Sequence, residues 1–329
     1  MIRLDPATVL LQWATGGLLF CWVTTRRREV GLGYGWLLRG IYLVMAVGAA
    51  AAGAKGGHPS LGRDLASALT AGAATAAIVV SVVRRRAGVA GERARTERRS
   101  ARVAAMTEAR AGRGGAGAAP LTAGVEPGGA GAGPLTAGVA PGGGGAGPLT
   151  AGAGRGDTSR GHLGPEYPPA LDLLAPAIGS IGLVIAAHAD GGPLLLAVAR
   201  TLVGAVFLGA VSDAMLLGHW YLVQPGLGRR PLNELVGWLA CIWPVEVAVM
   251  LWPVGMVSVF TGRIDDGWGG TMGWFWAACA LTTIVLCYVT RKALEERAYS
   301  AVMAATGLLY LAILTAFGTD LVARAVLAS

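Results

Sequence analysis

The chain has 329 residues, of which 54% are apolar and only 14% are charged, whereas soluble domains carry about 25% charged residues. These values exclude an ordinary soluble globular domain. The net charge of +8 does not indicate a nucleic-acid partner, because ten arginines and only three glutamates within residues 84–113 supply most of it. A basic segment directly after an apolar run is typical of membrane proteins, in which it orients the chain and contacts anionic lipids.

Eight apolar runs are long enough to cross a bilayer, which takes about 20 helical residues. Three of them precede a long connection, at about residues 7–24, 36–54 and 65–83. Five follow it, at about residues 171–188, 194–222, 232–260, 271–290 and 299–320. Because a lipid-exposed backbone must satisfy its hydrogen bonds within each segment, the predicted fold class is an all-α, polytopic membrane bundle of about eight helices.

The first part of the connection, residues 84–113, follows the third span directly. Its composition favours helix, and it carries local charge pairs such as Glu92 with Arg95. We therefore expect an Arg-rich cytoplasmic helical extension. We expect its first three arginines to face the lipid headgroups: Arg84, Arg85 and Arg86.

The second part of the connection, residues 114–170, contains a 14-residue Gly/Pro/Ala repeat that begins at Pro120 and again at Pro134. Each unit holds one Leu and one Val, too little apolar surface to offset the entropy cost of ordering the chain. A long disordered cytoplasmic linker is therefore predicted. It would join a three-helix block at residues 1–83 and the extension to a five-helix block at residues 171–329.

The basic residues predict the orientation of the chain. With the N-terminus outside, eight of them fall in short cytoplasmic connections: Arg26, Arg27, Arg28, Arg229, Arg230, Arg291, Lys292 and Arg297. Three fall in short external connections: Lys55, Arg63 and Arg263. Because cytoplasmic loops carry the excess of Lys and Arg, we predict a multi-pass protein of the plasma (inner) membrane with both termini external.

Polar side chains interrupt the fifth and sixth spans. Charges at membrane depth are costly, so they face the protein interior or a water-filled cavity. Consecutive helices with a short connection are usually neighbours, and we therefore predict one cytoplasm-facing cavity for a proton, a quinone or another substrate. Its predicted members are Asp213, His219, Asn233, Glu234 and Glu246. The alternative is that these residues only make interhelical hydrogen bonds.

Several other residues receive simpler interpretations. His188, Asp190 and Arg200 are expected to form an external cluster at the water interface. Arg39 lies about one turn from the cytoplasmic end of the second span and is expected to extend its side chain to the headgroups. The four cysteines lie in apolar runs without metal-ligand spacing, so we expect free, buried thiols and no metal site: Cys21, Cys241, Cys279 and Cys287.

The residues leave three classes of function open, and whether the chain is an enzyme is not determined. Carboxylates and a histidine beside Trp220 and Tyr221 suit a respiratory-chain-associated subunit that binds quinone or conducts protons. Haem is not expected, because the two histidines within spans, His188 and His219, lie at opposite faces. Proline-broken helices favour a permease-like transporter. The third class is a non-catalytic structural or accessory subunit, and other membrane-protein subunits would be its partners.

Overall fold

The structure is a computed structural model that describes residues 5–56, 60–84, 167–189, 193–224, 227–253, 255–296 and 298–328. No strand occurs within these ranges, and eight of their helices are long and apolar enough to cross a membrane. The chain is therefore an all-α, multi-pass integral membrane protein, which confirms the predicted fold class. Most of the predicted extension and linker lies outside the described residues, and the division into blocks stays a prediction.

The helices are numbered in chain order. They are α1 Pro6–Thr25, α2 Leu32–Lys55, α3 Leu61–Val83, α4 Leu174–Ala189, α5 Leu194–Val223, α6 Arg230–Leu251, α7 Met256–Phe260, α8 Thr271–Glu295 and α9 Tyr299–Ala328; a 3-10 turn at Pro169–Leu173 leads into α4. Successive long helices run in opposite directions. The beginnings of α1, α3, α5 and α8 therefore lie at one end of the bundle, the first end, and those of α2, α4, α6 and α9 lie at the second end.

Two helices differ from the predicted spans. α6 ends at Leu251, so the predicted span 232–260 is broken, because Pro253 has no N–H and disfavours the helical conformation of the residue before it. Pro244, in contrast, lies inside α6. α9 continues to Ala328 rather than ending near residue 320, and this additional length includes Arg324.

The centre of the bundle is the contact between α1 and α5. α1 also packs against α2 and α4, and α5 also packs against α6 and α9. At the closest approach, a Cβ on Gly16 would overlap with the main chain of α5, and a Cβ on Gly209 would overlap with the main chain of Gly16. Glycines at both positions therefore allow the two backbones to touch, as small residues do between membrane helices.

Asp5 fixes the beginning of α1 and joins it to α3. Its carboxylate accepts hydrogen bonds from the main-chain N–H and the hydroxyl of Thr8, at 3.2 and 2.9 Å, and Pro6 occupies the first helical position. Arg63 in the first turn of α3 donates to Asp5 and lies 2.8 Å from the carboxylate of Asp64. Arg63, predicted to lie in a loop, is therefore a buried helical residue that ties two helices together at the first end.

Candidate functional site

Five buried polar side chains gather in the half of the bundle nearer the first end. They are Gln12 of α1, Arg200 of α5, Glu246 of α6, and Asp320 and Arg324 of α9, and we call them the Arg324 cluster. Each is at most 4% exposed. With both carboxyl groups ionised, the two arginines balance them, so the cluster carries no net charge into the apolar interior. Such internal compensation is what allows charges at membrane depth.

Asp320 accepts hydrogen bonds from two other members of the Arg324 cluster. Arg324 lies one turn away on α9, and its Nε is 2.9 and 2.8 Å from the two carboxylate oxygens. The amide nitrogen of Gln12 lies 3.4 Å from both oxygens. Gly204 of α5 leaves the room for this contact, because a Cβ there would overlap with Gln12 and lie 2.5 Å from Asp320 Oδ1. Donors from two helices therefore bind the Asp320 side chain.

Arg200 and Arg324 connect the cluster to the main chain of α5 and α6. Arg324 Nη2 donates to the carbonyl of Arg200 at 3.0 Å, and Arg200 Nε donates to the carbonyl of Val249 at 2.7 Å. Val249 lies in the last turn of α6, where carbonyls have no partner within the helix. The Arg200 guanidinium also lies beside Gly255, directly after the break in α6. The charged cluster is thus joined to the helix break.

Glu246 differs from the other members in its hydrogen bonding. Its side chain is completely buried, and among the described residues no N–H or hydroxyl group donates to either carboxyl oxygen, whereas the Asp320 carboxyl lies within hydrogen-bonding reach. It interacts electrostatically with Asp320, Arg324 and Arg200. A buried carboxyl group without an N–H or hydroxyl donor, beside a second carboxyl group, is chemically suited to hold a proton.

Asp213 lies deeper in the bundle and is enclosed by two tyrosines of α2. The Tyr42 hydroxyl donates to Asp213 Oδ1, and the Tyr34 hydroxyl donates to the Asp213 carbonyl at 3.2 Å. Gly17 of α1 makes this possible, because a Cβ there would overlap with the Tyr42 ring, which passes α1 to reach α5. Asp213 Oδ2 is buried and has no hydrogen-bond partner in the described part of the chain. We call Tyr34, Tyr42 and Asp213 the Asp213 cluster.

Polar groups on α1 and α5 lie between the two clusters. Trp13 Nε1 donates to the hydroxyl of Ser212 at 2.8 Å, next to Asp213 in the sequence. Trp13 in turn follows Gln12, which contacts Asp320. The Thr15 hydroxyl is also buried on α1, and a Cβ on Gly179 of α4 would overlap with it. Thr15 thus faces α4, whereas Gln12, Trp13 and Ser212 are the polar groups on α1 and α5 that lie between the two carboxyl clusters.

A third set of polar side chains lies nearer the second end. It consists of Thr25, Arg39, Tyr167 and Asp172, and we call it the Asp172 cluster. Arg39 of α2 contacts Asp172 through two hydrogen bonds, from Nε at 2.7 Å and from Nη2 at 2.6 Å, and both side chains are about 3% exposed. Asp172 also accepts from the hydroxyls of Tyr167, at 2.5 Å, and Thr25, at 3.3 Å. The Arg39 guanidinium lies 4.8 Å from the centre of the Tyr167 ring. Burial raises the pKa of Tyr167, so this hydroxyl keeps its proton and donates it.

The structure does not bring the five predicted cavity residues together. Asp213 faces α2 rather than α6, and Glu246 belongs to the Arg324 cluster. His219 is exposed on the outer face of α5, with Nδ1 3.4 Å from the Tyr310 hydroxyl, and Asn233 is also exposed. Glu234 forms ion pairs with Arg26 and Arg27, each at 2.6 Å. α5 and α6 are neighbours as predicted, but Asp213 lies on the face of α5 that contacts α2 and not on the face that contacts α6.

Three further expectations about polar residues need correction. Arg200 was expected at the water interface with His188, but it is buried inside the bundle, whereas His188 is exposed; Asp190 lies outside the described residues. Arg39 does not extend to the headgroups, because Asp172 holds it in the interior. Cys241 lies on an exposed helix face, unlike the other three cysteines. Of the three arginines after α3, only Arg84 is described, and its predicted lipid contact stays a prediction.

Sequence reasoning missed the most important members of the buried clusters. Asp320 and Arg324 were overlooked because the last span was ended at about residue 320, although their spacing of four residues in an apolar run was a usable signal. Gln12, Tyr42 and Asp172 are single residues whose partners lie far away in the sequence. No local pattern indicates those partners.

Comparisons of the chain with known protein families, with curated proteins and with solved structures found no match.

Proposed function

We propose that this membrane protein conducts protons across the bilayer through its buried carboxyl groups. The observation that carries the proposal is Glu246, a completely buried carboxyl group without a hydrogen-bond donor, beside Asp320. Ionisable residues inside a membrane bundle are costly, and in pumps and transporters they form proton relays. Asp320, in contrast, is bonded by Arg324, so the two neighbouring carboxyl groups differ in the donors around them.

The proposed path has two stations. Asp213 receives a proton in the half of the bundle nearer the second end, and the Tyr42 hydroxyl, which donates to it, stabilises its ionised form. Ser212, Trp13 and Gln12 mark the interface along which the proton moves towards the first end. Glu246 accepts the proton there, because no N–H or hydroxyl donor occupies its carboxyl group, whereas Arg324 is bonded to Asp320. Transfer between the stations requires water to enter this interface, since Arg200 and Asp213 lie 13 positions apart on α5, about 20 Å along an ideal helix.

Proton conduction is the part of the respiratory-subunit hypothesis that the geometry favours. A quinone needs an opening beside the carboxylates, and Asp213 is enclosed between α1, α2 and α5. A pocket at the second end is lined by Glu234 together with Arg27 and Glu29, but Asp213 is not part of its lining. The proposal therefore retains proton conduction and does not include quinone binding or any other cofactor.

The test is proton flux into liposomes that contain the purified protein and a pH-sensitive dye. A potassium diffusion potential set by valinomycin drives the flux. The wild-type protein is expected to acidify the lumen faster than protein-free liposomes do, and Glu246→Gln is expected to lower the rate to that of protein-free liposomes. The amide keeps the size of the side chain but cannot release a proton at physiological pH, so the fold is expected to persist.

The matched control is Glu295→Gln, which removes a carboxyl group from an exposed position where it only pairs with Lys292. Its flux is expected to equal that of the wild-type protein. Thermal unfolding of all three proteins in detergent shows that equal amounts of folded protein are compared. Flux in the Glu246→Gln liposomes at the wild-type rate would refute Glu246 as a proton carrier.

A permease-like transporter is the second candidate, and the break in α6 beside Arg200 favours it. Broken helices with free main-chain groups form the substrate sites of several transporter folds. Here Nε of Arg200 already donates to the carbonyl of Val249, so an anionic solute that bound this nitrogen would have to displace that carbonyl. In the same liposomes, a wild-type protein that carries no protons until a solute is added would favour transport over conduction.

We further propose that the second end is cytoplasmic, in the plasma (inner) membrane, with both termini outside. The short connections at this end, with the helix ends beside them, carry more basic residues than those at the first end, as the positive-inside rule requires of the cytoplasmic side: Arg26, Arg27, Arg28, Arg229, Arg230, Arg291 and Lys292. Reporter fusions after Gly57, Gly128, Gly226 and Gly267 test this orientation. External signals are expected at Gly57 and Gly267 and cytoplasmic signals at the other two; an external signal at Gly128 or Gly226 would contradict it.

A further inference from the structure

The proton path needs an entrance at the second end, and the Asp172 cluster lies across it. On α2, Tyr42 reaches Asp213, and Arg39 lies three residues nearer the second end. On α1, Thr25 contacts Asp172 in the last turn, and Cys21 lies one turn deeper. Cys21 interacts electrostatically with Arg39, Asp172 and Asp213. The order from the second end inwards is therefore Tyr167 and Asp172, then Arg39, then Cys21, and then Asp213.

The ion pair in the Asp172 cluster is buried and excludes solvent, and it differs in this from a surface ion pair. Both charged side chains are almost completely buried, and the two hydrogen bonds between them are short and parallel. Gly35 leaves the space for the guanidinium, because a Cβ there would lie 2.9 Å from Arg39 Nη1. A buried ion pair of this kind contributes little net stability compared with apolar residues of the same size. Its retention in an apolar bundle therefore requires another reason.

We propose that the Arg39–Asp172 ion pair is the gate that closes the proton path at the second end, between water and Asp213. This rests on the proposed proton conduction. Opening separates Asp172, which stands in the 3-10 turn before α4, from Arg39 on α2, and admits water to the level of Cys21 and then to Asp213. Tyr167 and Thr25 hold the closed state through their hydrogen bonds to Asp172. Arg39 and Asp172 are thus positioning residues, and they do not carry the proton.

Cys21 provides a probe of this gate that does not depend on proton flux. Its thiol is completely buried, on the side of the Arg39–Asp172 ion pair that faces the bundle interior. In a chain with Cys241→Ala, Cys279→Ala and Cys287→Ala, a membrane-impermeant maleimide can react only with Cys21. Labelling of this parent protein in vesicles is expected to be slow. Asp172→Ala is expected to raise the labelling rate by about tenfold or more, and only from the side that the second end faces.

Two further variants keep the test decisive if Asp172→Ala folds poorly. Tyr167→Phe removes one hydrogen bond to Asp172 and keeps the ion pair and the aromatic ring, so a smaller increase in labelling is expected with normal folding. Asp64→Asn disturbs the Arg63 ion pair at the first end and is expected to leave Cys21 unlabelled. Unchanged labelling in both Asp172→Ala and Tyr167→Phe, or an equal increase in Asp64→Asn, would overturn the gate.

Proton flux measured on the same proteins separates the two proposals. If the gate and the function are both right, Asp172→Ala raises flux as well as labelling. Increased labelling without any flux in the wild-type protein would retain the gate as an entrance to the bundle but refute proton conduction. Flux that depends on Glu246, together with unchanged labelling in the Asp172 and Tyr167 variants, would retain conduction and refute the gate.

Discussion

Replacing Arg324 with methionine is expected to lower the free energy of unfolding by about 3–5 kcal/mol, the usual cost of removing one partner from a buried ion pair. Arg324 is 1% exposed, and its removal leaves the Asp320 carboxylate without its main donor and takes away the side-chain hydrogen bond to the carbonyl of Arg200. Methionine fills a similar volume, so the loss reports on charge and hydrogen bonding rather than on a cavity. Denaturant unfolding in detergent measures it.

Two comparisons identify burial as the cause. Lys292→Met also removes a cation from an ion pair, but its partner Glu295 is exposed, and the expected loss is less than about 0.5 kcal/mol. The double variant Asp320→Leu with Arg324→Met removes both charges and is expected to recover most of the stability lost in Arg324→Met. If Arg324→Met proved as stable as Lys292→Met, the buried geometry of the cluster would be wrong.

The helices themselves could be predicted because the constraint that forms them is local. An apolar run in lipid has to bond its own backbone, so length and hydropathy are sufficient to find the eight spans. The same local constraint does not fix where each helix ends. The local hydropathy does not show whether α9 ends near residue 320 or continues to residue 328. Arg324 could be recognised as a buried residue only if the helix continued past it.

The partners of the intramembrane charges could not be predicted, because they depend on helical phase and on glycines in neighbouring helices. Asp213 was assigned to α6 from chain order, which is right about the neighbour and wrong about the direction of the side chain. Its real partner, Tyr42, reaches it only because position 17 has no Cβ. Likewise Arg39 has an acceptor 133 residues away, beyond the long connection. Such pairs are visible only after the helices are packed.

Gly209→Ala tests that packing directly, and we expect it to cost about 1–3 kcal/mol or more of unfolding free energy, as overpacking does. The added methyl group would overlap with main-chain atoms of Gly16, which cannot rotate away as a side chain can. α1 and α5 must therefore separate. Thermal and denaturant unfolding in detergent measure the loss of stability.

The matched control adds the same methyl group at Gly237 of α6, where a Cβ would meet nothing within 4 Å. Gly237→Ala is expected to be neutral or to gain up to about 1 kcal/mol, because alanine favours helix over glycine. Equal stability of the two variants would contradict the close approach of α1 and α5. Separation of these helices also moves Ser212 and Asp213 away from Trp13 and Tyr42. Gly209→Ala should therefore lose proton flux even at temperatures where it remains folded, because the path lies in the contact that the glycines create.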